Sequence, residues 1–338
     1  MNTLQIRHVF RDIKVNNNCK YYATEFFHRL YKELQNIYSD INFVIVNNLN
    51  TKYEPMGYGS VCSCMNLSIV NPINNKYILI SLFDNWKYHF NTYLGWSPND
   101  MVQFFYAGSF DLLDFYTYKT RVSNNKDFIF PVDIKNKYYP FFYIPCYDCL
   151  YDEITNLYNN RNFKEVNPKL FFRGYLWDFR KAITNQITTN IEDIAIIDKN
   201  KDLNLDYFDF IKEISSYKAS LSLPGGTDIC HRDIESFGVG TPVFRSLLTT
   251  KYPDPLLPNY HYICFYGMCD YTDEHAPRFV SNKDFQDNLL YWWNTLKNND
   301  EYLSYVSQNA RLWFIEHCTM DKNIDYIISK LNISNLLN

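Results

Sequence analysis

The sequence predicts an α/β protein of two Rossmann-like domains facing each other across a cleft. Three observations predict it. The chain has 338 residues, room for two domains of about 150 residues each. Helical and strand-like apolar patterns alternate along it, which suits a mostly parallel sheet layered with helices. Finally, residues 217–245, YKASLSLPGGTDICHRDIESFGVGTPVFR, read as strand, Pro-Gly-Gly turn, short helix, Gly-x-Gly turn and second strand. In open α/β sheets, ligands bind at the carboxyl ends of such strands.

In chain order, Cys19–Tyr38 carries Tyr22, Phe26, Leu30 and Leu34 at helical spacing and is followed by a strand at Asn42–Val46. Asn66–Val70 and Lys76–Phe83 read as strands. Pro98–Tyr106 reads as a helix, with Ser97 as N-cap and Pro98 at the first position. Tyr139–Ile144 is another strand, Asp152–Asn160 a helix with one polar face, and the Asn- and Lys-rich segment Asn159–Lys169 a linker. The expected domains are therefore 1–160 and 161–338. The second holds strands at Lys169–Arg173 and Asp193–Ile197, a helix at Tyr207–Ser216, and strands at Ala219–Leu223 and Thr241–Arg245. Amphipathic helices near Lys283–Lys297, Asp300–Cys318 and Lys322–Leu331 close it.

Composition excludes several classes. Lys and Arg number 33 against 37 Asp and Glu, a net charge of −4, and no long basic run appears, so no nucleic-acid partner is expected. No run of about 18 apolar residues predicts a membrane span. The start, MNTLQIRHVFRDIKVNNN, lacks a signal peptide's apolar core. Together with nine cysteines, an odd set, this predicts reduced thiols and a cytoplasmic location. Cys62/Cys64 and Cys146/Cys149 have an unusual spacing for a four-thiolate zinc site and read as buried free thiols. Thirty Tyr and 26 Phe fit the codon bias of an AT-rich genome and do not by themselves define a stacking surface. Gly57-Tyr-Gly59 precedes no helix-like stretch, which argues against a dinucleotide-binding glycine motif.

Two constellations point to chemistry. In Phe171-Phe172-Arg173-Gly174, Arg173 sits at a strand's C-terminal tip, where open α/β sheets bind ligands. Arg180 follows about two helical turns later. In the second, Gly225, Gly226 and Thr227 permit close backbone approach, and Thr227 or Asp228 is placed to cap the helix. Arg232 suits a phosphate oxygen and Glu235, three residues on, a pair of sugar hydroxyls. His231 either contacts phosphate or packs at the helix start. The plainer reading of Arg232 and Glu235 is an i,i+3 ion pair on a solvated face, and that of Arg173 a salt bridge between domains. An acceptor would need a general base from the first domain. Asp84, following the apolar strand, is the best candidate; Asp111 and His89 are rivals, and Trp86, Tyr88, Tyr93 and Trp96 surround the region.

Arg232-x-x-Glu235 followed by Gly240-Thr-Pro-Val-Phe244 resembles the donor-site signature of exostosin-type glycosyltransferases. Phe172-Arg173-Gly174 with a following Arg is similar to an element of the protein O-glucosyltransferase and capsule-xylosyltransferase group. The resemblance spans roughly residues 170–244 and implies a GT-B enzyme, inverting and metal-independent, with no cofactor beyond its nucleotide-sugar substrate. It implies that Arg173 and Arg232 stabilise the leaving diphosphate, that Glu235 holds the ribose, and that the donor is a UDP-sugar, xylose or glucose, with a glycan as acceptor. Cys230-His231 departs from the residues usual before that Arg. A cytoplasmic member would suit a microbe or a large DNA virus, in the latter case in the host cytoplasm. The alternative is a catalytically inactive GT-B fold that binds glycans or acts as a scaffold.

Overall fold

The computed structural model describes residues 2–10, 22–46, 65–81, 100–107, 137–141, 150–174, 176, 180–181, 184, 193–198, 205–223, 230–248, 254–267 and 282–338. The chain divides into two compact units, 1–146 with 319–338, and 147–318, in place of a single crossing at 160/161.

The first unit holds β1 (Asn2–Phe10), α1 (Tyr22–Ile37), β2 (Ile41–Val46), β3 (Met65–Val70), β4 (Tyr77–Ser81), β5 (Met101–Ala107) and β6 (Tyr138–Phe141). Its six strands lie in the order β2-β1-β3-β4-β5-β6. The sheet is mixed: β3 runs antiparallel to both neighbours, β1 and β4, while the remaining pairs are parallel. Pro98–Tyr106 is thus not a helix; Met101–Ala107 is a strand between β4 and β6. Met101, Gln103, Phe104 and Phe105 are all buried, as suits a strand covered on both faces, and that burial overrides the Ser-Pro start signal. Strand β1, unforeseen from the sequence, buries Leu4 and Ile6 by simple alternation.

Two C-terminal helices complete this core. In chain order they are the last elements, after the second unit: Met320–Lys330 and Ser334–Leu337. Met320, Ile324, Ile327 and Leu336 pack with Phe26, Leu30 and Leu34 of α1 and with the sheet. Polar contacts fix the return: Gln103 Nε2 donates to Lys330 O at 2.8 Å and Oε1 accepts from Asn332 N at 2.7 Å. Asn71 Nδ2 donates to Leu336 O at 2.7 Å. This burial moves 319–338 out of the expected second domain.

The second unit contains α2 (Tyr151–Asn159), β7 (Asn167–Gly174), β8 (Ile194–Asp198), α3 (Tyr207–Ser215), β9 (Tyr217–Leu221), α4 (His231–Gly238), β10 (Val243–Ser246), β11 (Ile263–Tyr266), α5 (Asn282–Leu296) and α6 (Asp300–His317). Its five strands are all parallel, in the order β11-β10-β9-β7-β8. Leu170 and Phe172 of β7 pack into a core with Phe285, Leu289 and Trp293 of α5 and Leu303 and Val306 of α6. The next residue, Arg173, reaches α3 instead, as period-two alternation requires. The chain leaves β7 for β8 on one side and resumes with β9 on the other, which puts a topological switch point between β7 and β9. The segment expected as a domain linker lies inside this unit, where Arg161 Nη2 donates to Tyr217 O at 2.6 Å.

Gly240 opens the turn into β10 at φ +68°. A Cβ there would stand 2.4 Å from the Tyr158 ring and 2.9 Å from Ser307 Oγ, so both backbone and space require glycine. Ser307 Oγ donates to Gly240 O at 2.6 Å, and Lys218, at the start of β9, pairs with Asp300 at 2.6 Å. Helix α6 therefore runs past the N-terminal edge of the sheet. Among the described residues no helix is long and apolar enough to cross a membrane.

Candidate functional site

At the opposite, C-terminal edge, beside the switch point, the ends of β7 and β9 meet the start of α4. β7 ends Phe172-Arg173-Gly174. The Arg232 guanidinium, from the first turn of α4, lies over the Phe172 ring at 4.3 Å and donates through Nη2 to the Arg173 carbonyl. Gly174 permits this approach, since a Cβ there would come within 2.6 Å of Arg232 Nη2. Arg232 is 9% exposed. Its Nε and Nη1 are buried and have no hydrogen-bond partner among the described residues. A guanidinium with two nitrogens unsatisfied is costly to bury, and its geometry matches a phosphate or carboxylate.

Arg180 is buried on the same ring, 5.7 Å from its centroid. Its Nη2 donates to Leu223 O, at the end of β9, at 2.9 Å, and contacts Cys230 Sγ at 3.7 Å. Burial lowers the Arg180 pKa; the Cys230 thiol works against that shift and the neighbouring Arg232 charge adds to it. Arg173 is committed differently, its Nε and Nη2 meeting the two carboxylate oxygens of Glu213 at 2.5 and 2.8 Å. Glu213 stands on α3 of the same unit. Glu235, one turn beyond Arg232, is 5% exposed, so the Arg232/Glu235 face is not solvated. His231 is half-buried at the first position of α4.

The start of α4 is held by a pair that the sequence reading missed. Asp233 and Arg245 are completely buried, with Arg245 Nη1 2.7 Å from Asp233 Oδ2. The same oxygen accepts the Cys230 N–H at 2.7 Å. Cys230, with extended φ −104° and ψ 154°, is therefore the N-cap, and neither Thr227 nor Asp228 holds that position. The carboxylate at N3 reaching back to the N-cap amide is half of a capping box, and the spacing Cys230-x-x-Asp233 was its available signal. For Glu213 there was none, because it meets Arg173 from forty residues away. The structure thus brings Arg180 and Arg232 together on the Phe172 ring with the Arg173 carbonyl; the Arg173 guanidinium is held by Glu213 instead, and His231 and Glu235 lie on α4 beside Arg232. Asp84, Gly225, Gly226 and Thr227 lie outside the described residues. So do Asp111, His89, Trp86, Tyr88, Tyr93, Trp96 and cysteines 62, 64, 146 and 149.

Fold and site together define a two-unit α/β protein with a buried arginine cluster at the switch point of its parallel sheet. No family model matches the chain, and no curated protein does. Among solved structures, Anabaena HepE in complex with UDP-glucose is similar at 11% identity and TM-score 0.39, over 68% of this chain and 72% of that one. An alpha-glucosyltransferase in complex with UDP-glucose and DNA containing an abasic site is similar at 9% identity and TM-score 0.38, over 97% and 100%. The C-terminal domain of the glycosyl transferase group 1 family protein LpcC from Francisella tularensis shares 11% identity at TM-score 0.27, over 46% and 63%. At these TM-scores the likeness is too loose to assign any residue a role.

Proposed function

We propose that the chain is a GT-B glycosyltransferase that binds a UDP-sugar on its second unit and transfers the sugar to a glycan. One observation carries the reading: the buried Arg232 fork, whose Nε and Nη1 have no partner among the described residues, sits beside the switch point where open α/β sheets take their ligands. A diphosphate would supply the missing acceptors. As the bond to the sugar breaks, negative charge grows on that diphosphate, and fixed guanidinium donors in a low-dielectric site stabilise it most at that moment. Arg232 is placed for this role by Phe172 and Gly174, and Arg180 adds positive charge beside it. Arg173, held by Glu213, contributes by presenting its carbonyl to Arg232. Glu235 supplies an acceptor for the ribose hydroxyls.

Direct displacement with inversion, independence of a divalent metal, and glucose or xylose as the sugar follow from the sequence resemblance. Asp84 is the proposed base for the acceptor hydroxyl. The test is a donor screen in the presence of EDTA: purified protein with UDP-, GDP- and CMP-sugars, reading released nucleotide. Release from one UDP-sugar supports the proposal. Silence across the panel, with no stabilisation by any nucleotide, favours a glycan-binding protein without activity.

A further inference from the structure

The C-terminus of α6 faces the segment that leads into β11, where His317 meets Asp254. We propose that Asp254, Glu316 and His317 form a binding site for one divalent transition-metal ion of the Zn2+ class. They are the one group of three such donors among the described residues whose ligand atoms all lie within 4.8 Å of one another. His317 Nε2 stands 2.8 Å from Asp254 Oδ2 and 3.8 Å from Glu316 Oε2. Around Zn2+, with bonds near 2.0–2.2 Å, tetrahedral ligand atoms stand about 3.3–3.6 Å apart. Opening the His317–Asp254 pair to admit an ion needs a shift of about half an ångström, in side chains that are 31%, 54% and 66% exposed for His317, Asp254 and Glu316.

Charge and rigidity point the same way. Two carboxylates and a neutral imidazole sum to −2, at the negative end of an 18-residue helix, and a dication answers both. One imidazole nitrogen with two carboxylate oxygens is a borderline donor set that suits Zn2+, Co2+ or Mn2+, and three protein ligands leave positions for water. The set is anchored from beneath: Trp313 Nε1 donates to Asp254 O at 3.3 Å, and the Trp313 ring lies 5.1 Å from that of His317. The ion would tie the segment before β11 to α6, a structural role at the N-terminal edge of the sheet that requires nothing of the donor proposal.

The test is calorimetric titration of tag-free, full-length protein with Zn2+, with His317→Ala and Asp254→Asn as variants. Asp254 is exposed and His317 half-buried, so the variants should stay close to the parent in urea denaturation without metal. The expected result is one equivalent bound, with affinity falling about tenfold or more in each variant. Co2+ absorption separates this site from the cysteines, because thiolate ligation adds an intense charge-transfer band. Equal binding by parent and variants, no binding at all, or a thiolate band on the bound equivalent would overturn the proposal. In each of those cases His317 is an ordinary hydrogen-bond partner of Asp254.

Discussion

Replacing Arg232 with Met should move stability and ligand affinity in ways that ordinary core damage cannot reproduce. Met keeps most of the side-chain volume against Phe172 and removes the guanidinium. The free protein loses a charge-assisted hydrogen bond to the Arg173 carbonyl, about 1.5–3 kcal/mol, and the contact with the Phe172 ring, about 0.5–2 kcal/mol. It is relieved of two buried guanidinium nitrogens, Nε and Nη1, that have no partner among the described residues, each about 1–3 kcal/mol. These nearly cancel, so urea denaturation should place the variant within about 2 kcal/mol of the parent. In the complex those two nitrogens are the ones a diphosphate satisfies. Losing two charge-assisted bonds removes at least about 3 kcal/mol, roughly 100-fold or more in affinity. Calorimetric titration with UDP in EDTA reads that number directly. Unchanged UDP affinity in the folded variant would refute the donor-site assignment. A stability loss of several kcal/mol would refute the claim that the free guanidinium is under-satisfied.

Further outcomes follow from the same geometry. Gly240→Ala combines a left-handed backbone with a Cβ 2.4 Å from the Tyr158 ring, and urea denaturation should show a loss of about 2–4 kcal/mol. Asp233→Ala removes the carboxylate paired with the buried Arg245 guanidinium, costing about 3–5 kcal/mol; adding Arg245→Met should restore part of it. Burial holds the His261 pKa below its ordinary 6.5, with Asp254 opposing the shift, and its Nδ1 accepts the Leu257 N–H at 2.9 Å. The unfolded chain then gains that proton ahead of the folded one as pH falls through about 6.5, so stability should decline there by at most about 1.4 kcal/mol per pH unit. His261→Asn should flatten that decline in denaturation curves taken between pH 7 and 5. Burial also raises the Cys318 thiol far above its usual range, so mass-spectrometric mapping after iodoacetamide should find it unmodified in the folded protein and alkylated in urea.

The arginine site was legible because its signals are local. Glycine turns, a strand-tip Arg and a three-residue spacing on one helix all survive in a single sequence. Its supports were not: Glu213 reaches Arg173 across the fold, and Arg245 reads as one more residue of an apolar strand until Asp233 is seen beneath it. Element type failed where local and tertiary preferences disagree. Ser97-Pro98 announces a helix, yet Met101–Ala107 is enclosed by β4 and β6 and follows the sheet. Strand β11, four residues long, is too short to show a period. The division into units was hidden for a different reason. The amphipathic helix Met320–Lys330 was foreseen, but nothing in its sequence says which sheet covers its apolar face.

That helix gives the chain an order of assembly opposite to its order of synthesis. Residues 147–318 are an insertion, complete within themselves, whereas the six-stranded sheet, made first, lacks Met320, Ile324, Ile327 and Leu336 until the final stretch emerges. Domains fold as units when their last buried residues are available. The nascent inserted unit can therefore close around its arginines while the earlier sheet still waits, one apolar wall open, for a lid encoded after both.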